Sequence, residues 1–333
     1  MTDSHRSHLD QIAKRHSSIK NGGFAHVANI LGLKEPEYRL SDSLVLRPAT
    51  PDESQTILEL LQRGNSLGKD IDGYLPFTTD VTTGSAPDRM LTFVPLTTDR
   101  WKFHVIAFEG VNGAQLDFAE STTLTKRRLV LGPTVGNWEH IPRPFLSVGG
   151  PESLEFTDPL VWPHRNGHFQ LTSQDVAEQI DVAQRVCQRP ETDKLREAIR
   201  RFDSIQALPW NSPMRVLGHV GILESLVTHK PEPQDPYASL TRQMKFKMKL
   251  IGHRAAVPIP YDLFPLRESE EKVWGKVYEY RSAIAHGDNP DFANRFKVLK
   301  NAETVAEFVE RATRSVMRQL LDEPALMEDL QAI

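Results

Sequence analysis

Glu268-Ser269-Glu270-Glu271-Lys272-Val273-Trp274-Gly275-Lys276-Val277-Tyr278-Glu279-Tyr280-Arg281-Ser282-Ala283-Ile284-Ala285-His286-Gly287 is the stretch that decides how the second half of the chain is built. Val273, Val277, Tyr280 and Ile284 recur at steps of three and four, the spacing that lines one face of an α-helix. Gly287 follows the last periodic residue and can supply a left-handed C-terminal cap. The spacing predicts a helix over about 268–286.

Its neighbours read the same way. A helix is predicted over about 192–207, stopped by Pro209. A second opens at Ser212-Pro213, a capping residue followed by proline at the first helical position, with Val216, Val220, Leu223 and Val227 on one face. Pro231, Pro233 and Pro236 forbid its continuation. A third covers about 237–255 with Leu240, Met244, Met248 and Ile251 on a stripe. A last one covers about 302–321 with Val305, Phe308, Val309, Ala312, Val316 and Leu320. Stripes this wide must pack on one another, so residues 192–333 are expected to form an all-α bundle. Residues 171–191 read as a connecting helix, with Val176, Ile180 and Val186 near helical spacing and Pro190 ending it.

Residues 1–170 read differently. Short β-branched and aromatic runs at 38–46, 90–95, 101–108 and 124–131 predict strands. A short helix is expected around Leu9 to Ile19, then a turn at Asn21-Gly22-Gly23, and a hairpin turn at Asn112-Gly113. Pro51 to Gln62 interrupts the strands as a helix: Thr50 can cap it, and Glu53 lies three residues on, the pattern of a capping box. The Pro-, Gly- and Trp-rich stretch 132–168 reads as ordered loop. The expected fold class is therefore α+β, a β-rich N-terminal domain with a few helices followed by a helical bundle.

Composition excludes several classes. The chain has 333 residues and a net charge of −4, a length that suggests two domains. No apolar run approaches the roughly 18–20 residues of a membrane span. The N-terminal Met1-Thr2-Asp3-Ser4-His5-Arg6 has no apolar signal-peptide core. The single cysteine, Cys187, excludes an intrachain disulfide and a Cys-rich zinc site. The expectation is a cytoplasmic protein without a membrane partner. Mild acidity argues against a general nucleic-acid coat but leaves room for a local basic groove.

The tightest chemical cluster is Arg281-Ser282-Ala283-Ile284-Ala285-His286, an Arg-x4-His pattern at a helix end. Alone it is short enough to recur by chance. Its place before a glycine stop, on an amphipathic bundle helix, gives it weight. Read blandly, the arginine pairs with a carboxylate, and the histidine complements the helix dipole and caps carbonyls.

The stretch resembles the Arg-x4–6-His signature of the HEPN superfamily. A wider set, Arg200-Arg201-Phe202, Leu223-Glu224-Ser225-Leu226 and Tyr278 to Gly287, resembles the ApeA-like branch over roughly residues 192–322. The resemblance implies an HEPN-type bundle that forms a homodimer or a higher even oligomer. In it, Arg281 and His286 of two protomers would meet in a composite, metal-independent ribonuclease site, of the kind deployed in toxin or phage-defence systems. No cofactor is implied. Residues 1–170 would sense a trigger or partner. Attack of a ribose 2′-OH on the adjacent phosphate needs a proton-transfer group, which a histidine can be, and a fixed cation, which an arginine always is. Five residues place Arg281 and His286 about 140° apart on a helix, so a shared or end-of-helix site is the reasonable geometry. Active members commonly carry Asn, Asp or His after the arginine. Here it is Ser282, which hydrogen-bonds but carries no charge. A non-catalytic module holding RNA or a partner protein is the second expectation.

Supporting residues follow. Tyr280 precedes the arginine. Glu224 falls within the apolar stripe of its helix, either to orient Arg281 or His286, or as a structural ion pair or an edge position that reaches solvent. Arg242, Lys245 and Lys249 belong to a basic run, Arg242 to Arg254, that contains no acidic residue and can follow an RNA backbone or simply face solvent. His164 and His168 have part of a zinc spacing but lack further ligands, so no metal is expected. Trp101, Trp138, Trp162 and Trp210 read as core more than as ligand pocket.

Overall fold

A computed structural model describes residues 11–12, 14–65, 75–83, 91–110, 113–138, 145–147, 170–209, 212–229, 239–265 and 268–332. It is α+β: an antiparallel sheet comes first, helices follow. The chain divides into two compact units, Met1–Ala183 and Gln184–Ile333.

In chain order the first unit runs β1 (Asn21–Val27), β2 (Ile30–Gly32), β3 (Tyr38–Ser41), β4 (Leu44–Pro48), α1 (Pro51–Asn65), α2 (Leu75–Thr78), β5 (Thr79–Thr83), β6 (Leu91–Pro95), β7 (His104–Glu109), α3 (Ala114–Ser121), β8 (Leu131–Trp138), β9 (Phe145–Ser147), β10 (Gln170–Thr172) and α4 (Ser173–Cys187), in which the division falls. Six strands form one sheet in the order β3-β4-β7-β1-β8-β9, with every neighbouring pair antiparallel. β5 pairs with β6 as a separate antiparallel ladder, and β10 runs parallel to β2. Alternation along the strands separates two cores. Phe24, Val105 and Val135 pack with Ile57 and Leu60 of α1. Val27, Leu44, Leu46, Ile106 and Phe108 pack with Phe118 of α3 and Val176 of α4.

Several sequence expectations are corrected in this unit. Asn21-Gly22-Gly23 is not a turn but the start of β1, inside the sheet. A Cβ on Gly22 would lie 2.2 Å from the Phe108 carbonyl oxygen, and one on Gly23 would lie 2.1 Å from that of Val135. The glycines are there because β7 and β8 approach closely on both sides. The run 38–46 is a hairpin, β3 and β4, turned at Asp42-Ser43, so that Leu40 and Leu44 reach one core. The strand expected at 124–131 begins only at Leu131, because Thr122–Leu124 form a short 3-10 turn whose Thr122 hydroxyl donates to Ala119. The expected loop 132–168 contains most of β8 and all of β9; His164, His168 and Trp162 lie outside the described residues. Gly113, with φ +71°, leads into α3 rather than closing a hairpin, and Asn112 lies outside the described residues. The capping box does form: the Thr50 N–H donates to Glu53 Oε2 at 2.8 Å, and the Glu53 N–H to Thr50 Oγ1 at 3.3 Å.

The second unit continues with α5 (Lys194–Gln206), α6 (Pro213–Val227), α7 (Leu240–Arg254), α8 (Glu270–His286), α9 (Ala302–Asp322) and α10 (Ala325–Ala332). α5 starts where the Asp193 carboxylate accepts from the Leu195 and Arg196 N–H groups, and α6 where Ser212 accepts from Met214. α6 is the central helix: it packs against α5, α7, α8, α9 and α10. Val216, Val220, Leu223 and Val227 are all buried, as are Met244, Met248 and Ile251 of α7 and Val305, Phe308, Val309, Ala312, Val316 and Leu320 of α9. The sequence reading did not include α10. Its Leu326 and Leu330 are buried too.

Candidate functional site

α8 begins at Ser269, whose hydroxyl accepts from the Lys272 N–H, with Glu270 and Glu271 in the first turn complementing the dipole. It ends in a left-handed Gly287, φ +76°. The Gly287 N–H donates to Ile284 O at 3.0 Å and the Asp288 N–H to Ala283 O at 2.9 Å. Backbone thus closes these terminal carbonyls, in the manner of a Schellman motif. His286 is not needed as a cap for them, and its side chain is exposed.

Arg281 lies five residues earlier, with 35% of its side chain exposed; its contact on the neighbouring α6 is Glu224, 17% exposed. Arg281 Nη2 donates to Glu224 Oε2 at a long 3.4 Å. The other carboxylate oxygen, Oε1, accepts from the Tyr278 hydroxyl at 2.7 Å. The Tyr278 ring lies 5.7 Å from the guanidinium carbon, within cation–π range. Arg281 Nε is buried with no hydrogen-bond partner. Burial, then the hydrogen bond to Glu224 and the charge of that carboxylate, raise the Tyr278 phenol well above its ordinary range. It is a phenol at any working pH, so it donates.

Of the residues singled out from sequence, Glu224 and Arg281 are therefore in contact. Ser282 is half-buried next to Arg281 in the chain. Tyr280 is 2% exposed and packs its ring 5.3 Å from Phe292 and 5.5 Å from Phe296, centre to centre, so the structure places it in the core. Tyr278, not Tyr280, meets the carboxylate. The sequence reading missed it, although a residue three before Arg281 lies on the neighbouring turn of the same face.

The basic run on α7 does not form one stripe. Lys249 pairs with Glu271 at 2.8 Å, and Arg254 pairs with Glu323. Lys245 is half-buried and lies over Gly275 of α8, where a Cβ would come 2.6 Å from its Cε. Lys247 is turned inward: 1% exposed, its Nζ donates to Leu330 O, to Gln243 Oε1 at 3.2 Å and to His229 Nδ1 at 3.2 Å, and burial lowers its pKa. The outward face carries Arg242, Phe246, Lys249 and His253, with Phe246 61% exposed.

Trp101 is half-buried and packs edge-on against Phe103 at the margin of the core. The Trp138 and Trp210 side chains lie outside the described residues. Among the described residues no group of three or more His, Cys, Asp or Glu is placed to hold a metal ion, and no helix is long and apolar enough to cross a membrane. Comparison with known proteins found no family model, no curated protein and no solved structure that matches this chain.

Proposed function

We propose that the helical unit is a metal-independent endoribonuclease of HEPN type. Its site is completed by two protomers, and it cuts RNA by attack of the ribose 2′-OH on the adjacent phosphate. His286 moves the proton, and Arg281 stabilises the negative charge that builds on the phosphorane. The observation that carries the reading is the end of α8. The backbone of Gly287 and Asp288 caps Ala283 and Ile284, so an exposed His286 is left without that structural duty, five residues beyond a partly exposed Arg281. Arg281 has one long contact with a carboxylate and further N–H groups to offer a phosphate. On the outward face of α7 an exposed Phe246 offers a ring on which a base of the strand can stack, while Lys249 beside it is paired with Glu271.

The second reading is a non-catalytic module that holds RNA or a partner protein. The Arg281–Glu224 contact favours it, because that contact is also what a structural ion pair looks like.

Purified full-length chain tests both readings. Light scattering should report a dimer or a higher even oligomer, and labelled RNA should be cut. Arg281→Lys should be strongly impaired, because a point-charge ammonium cannot replace a two-pronged guanidinium. RNA that is bound but left intact by the wild-type oligomer selects the second reading. A monomer at all workable concentrations contradicts the shared site.

A further inference from the structure

We propose that Tyr278 is a positioning residue that keeps Arg281 available to an anion, by holding one oxygen of Glu224 and so preventing the carboxylate from closing on the guanidinium with both. The inference deepens the reading of Arg281 as the phosphate-binding cation and rests on it.

The geometry is specific. A carboxylate facing an arginine frequently forms a two-point fork, with parallel N–H donors meeting both oxygens. Glu224 and Arg281 do not. One nitrogen meets one oxygen at 3.4 Å, the long end of the hydrogen-bond range, while the other oxygen is taken by the Tyr278 hydroxyl at 2.7 Å. Tyr278 reaches that oxygen because it sits three residues before Arg281 on the same helix. Its ring also lies along the guanidinium, 5.7 Å from its carbon, so it restricts where the arginine goes without neutralising it. The result is a cation tethered on one side and 35% exposed on the other. Removing only the phenol oxygen frees Glu224 Oε1 to join the ion pair. Arg281 would then be more fully paired within its own chain and a poorer partner for phosphate.

That prediction runs opposite to an ordinary structural tyrosine. Loss of a merely structural hydrogen bond weakens the fold and leaves the arginine as it was. Here Tyr278→Phe should leave the melting temperature unchanged or raise it, and should change the arginine.

The test uses full-length protein labelled with 15N-arginine, with the Arg281 signal identified by its loss in Arg281→Lys. Inorganic phosphate is the probe. In the wild type the Arg281 Nη nitrogens should average by rotation, and phosphate should shift the Arg281 Nε resonance. In Tyr278→Phe the Nη rotation should slow and phosphate affinity should drop on the order of tenfold, the scale of one hydrogen bond to a charged group. Adding Glu224→Gln to Tyr278→Phe should restore both, since the competing carboxylate is then gone. Unchanged Nη rotation in Tyr278→Phe, unchanged phosphate affinity, or no rescue by the second substitution overturns the proposal. So does a wild-type Arg281 that phosphate does not perturb. If the arginine behaves as stated while no RNA is cut by the wild type, the ribonuclease reading fails and the positioning role stands.

Discussion

Among the described residues, each unit buries one histidine with neither ring nitrogen hydrogen-bonded, but the two are buried among different things. His26 of β1, 1% exposed, is flanked by the Phe77 and Phe103 rings at 4.9 and 5.5 Å and feels the charge of His104 of β7. His219 of α6, fully buried, faces the Phe202 ring of α5 at 4.8 Å. Arg215 of its own helix and Arg314 of α9 lie close by, both bonded to Glu310. Burial pulls both histidines from 6.5 down to about 3, and the neighbouring His104 in one case and the two arginines in the other add to the pull. His286, by contrast, lies on the surface at a helix end. The contrast teaches that a histidine among apolar or cationic neighbours contributes to stability through being neutral, whereas a histidine at an exposed helix end stays in contact with water.

Acid exposes this difference most strongly. A histidine whose folded pKa is depressed gives stability that is complete above its unfolded value of 6.5 and is lost as the pH falls from there towards 3. Each buried histidine should cost its unit several kcal/mol of stability across that window, by about 1.4 kcal/mol per pH unit. Denaturant melts between pH 7 and pH 4 should show both units weakening. His219→Leu should flatten the slope of the helical unit alone, and His26→Leu that of the sheet unit alone. A helical unit whose pH slope is unchanged in His219→Leu would place the acid sensitivity elsewhere.

A buried lysine of the helical unit gives a smaller effect. Lys247→Met removes the donor from Leu330 O and His229 Nδ1, whereas Gln243 Oε1 keeps the His229 N–H at 3.0 Å. A loss of about 1–3 kcal/mol is expected, the cost of unsatisfied buried polar groups. Unchanged stability would mean that Leu330 O and His229 Nδ1 find other donors. The smallest effects are at the helix starts. Asp193→Ala, which removes the acceptor for two N–H groups of α5, should cost about 1 kcal/mol in the helical unit, and Thr50→Ala a similar amount in the sheet unit.

The helical unit was the more legible of the two because its signals are local. Ser212-Pro213, the valine stripe of α6 and the glycine after His286 each lie within a turn or two of what they specify. In the sheet unit the decisive facts are distant in sequence. Gly22 and Gly23 look like a turn until Phe108 and Val135 are brought against them. The candidate site divides the same way. Arg281, His286 and Glu224 stand out in sequence by charge and placement, but the meeting of Glu224 with Tyr278 and Arg281 joins residues more than fifty positions apart. Lys247 is an intermediate case. Its place beside Met244, Met248 and Ile251 on the apolar stripe announces an inward side chain, yet the surrounding basic residues hide it.

The most direct test of the account is the chemistry of the cut ends. Wild-type protein incubated with end-labelled RNA in EDTA should leave a 2′,3′-cyclic phosphate on one fragment and a 5′-hydroxyl on the other. His286→Ala, folded as the wild type, should cut about 10²–10⁴-fold more slowly, the range for a positioned acid or base. Cleavage abolished by the chelator, or a His286→Ala protein that cuts at the wild-type rate, would contradict a metal-independent site built on the end of α8.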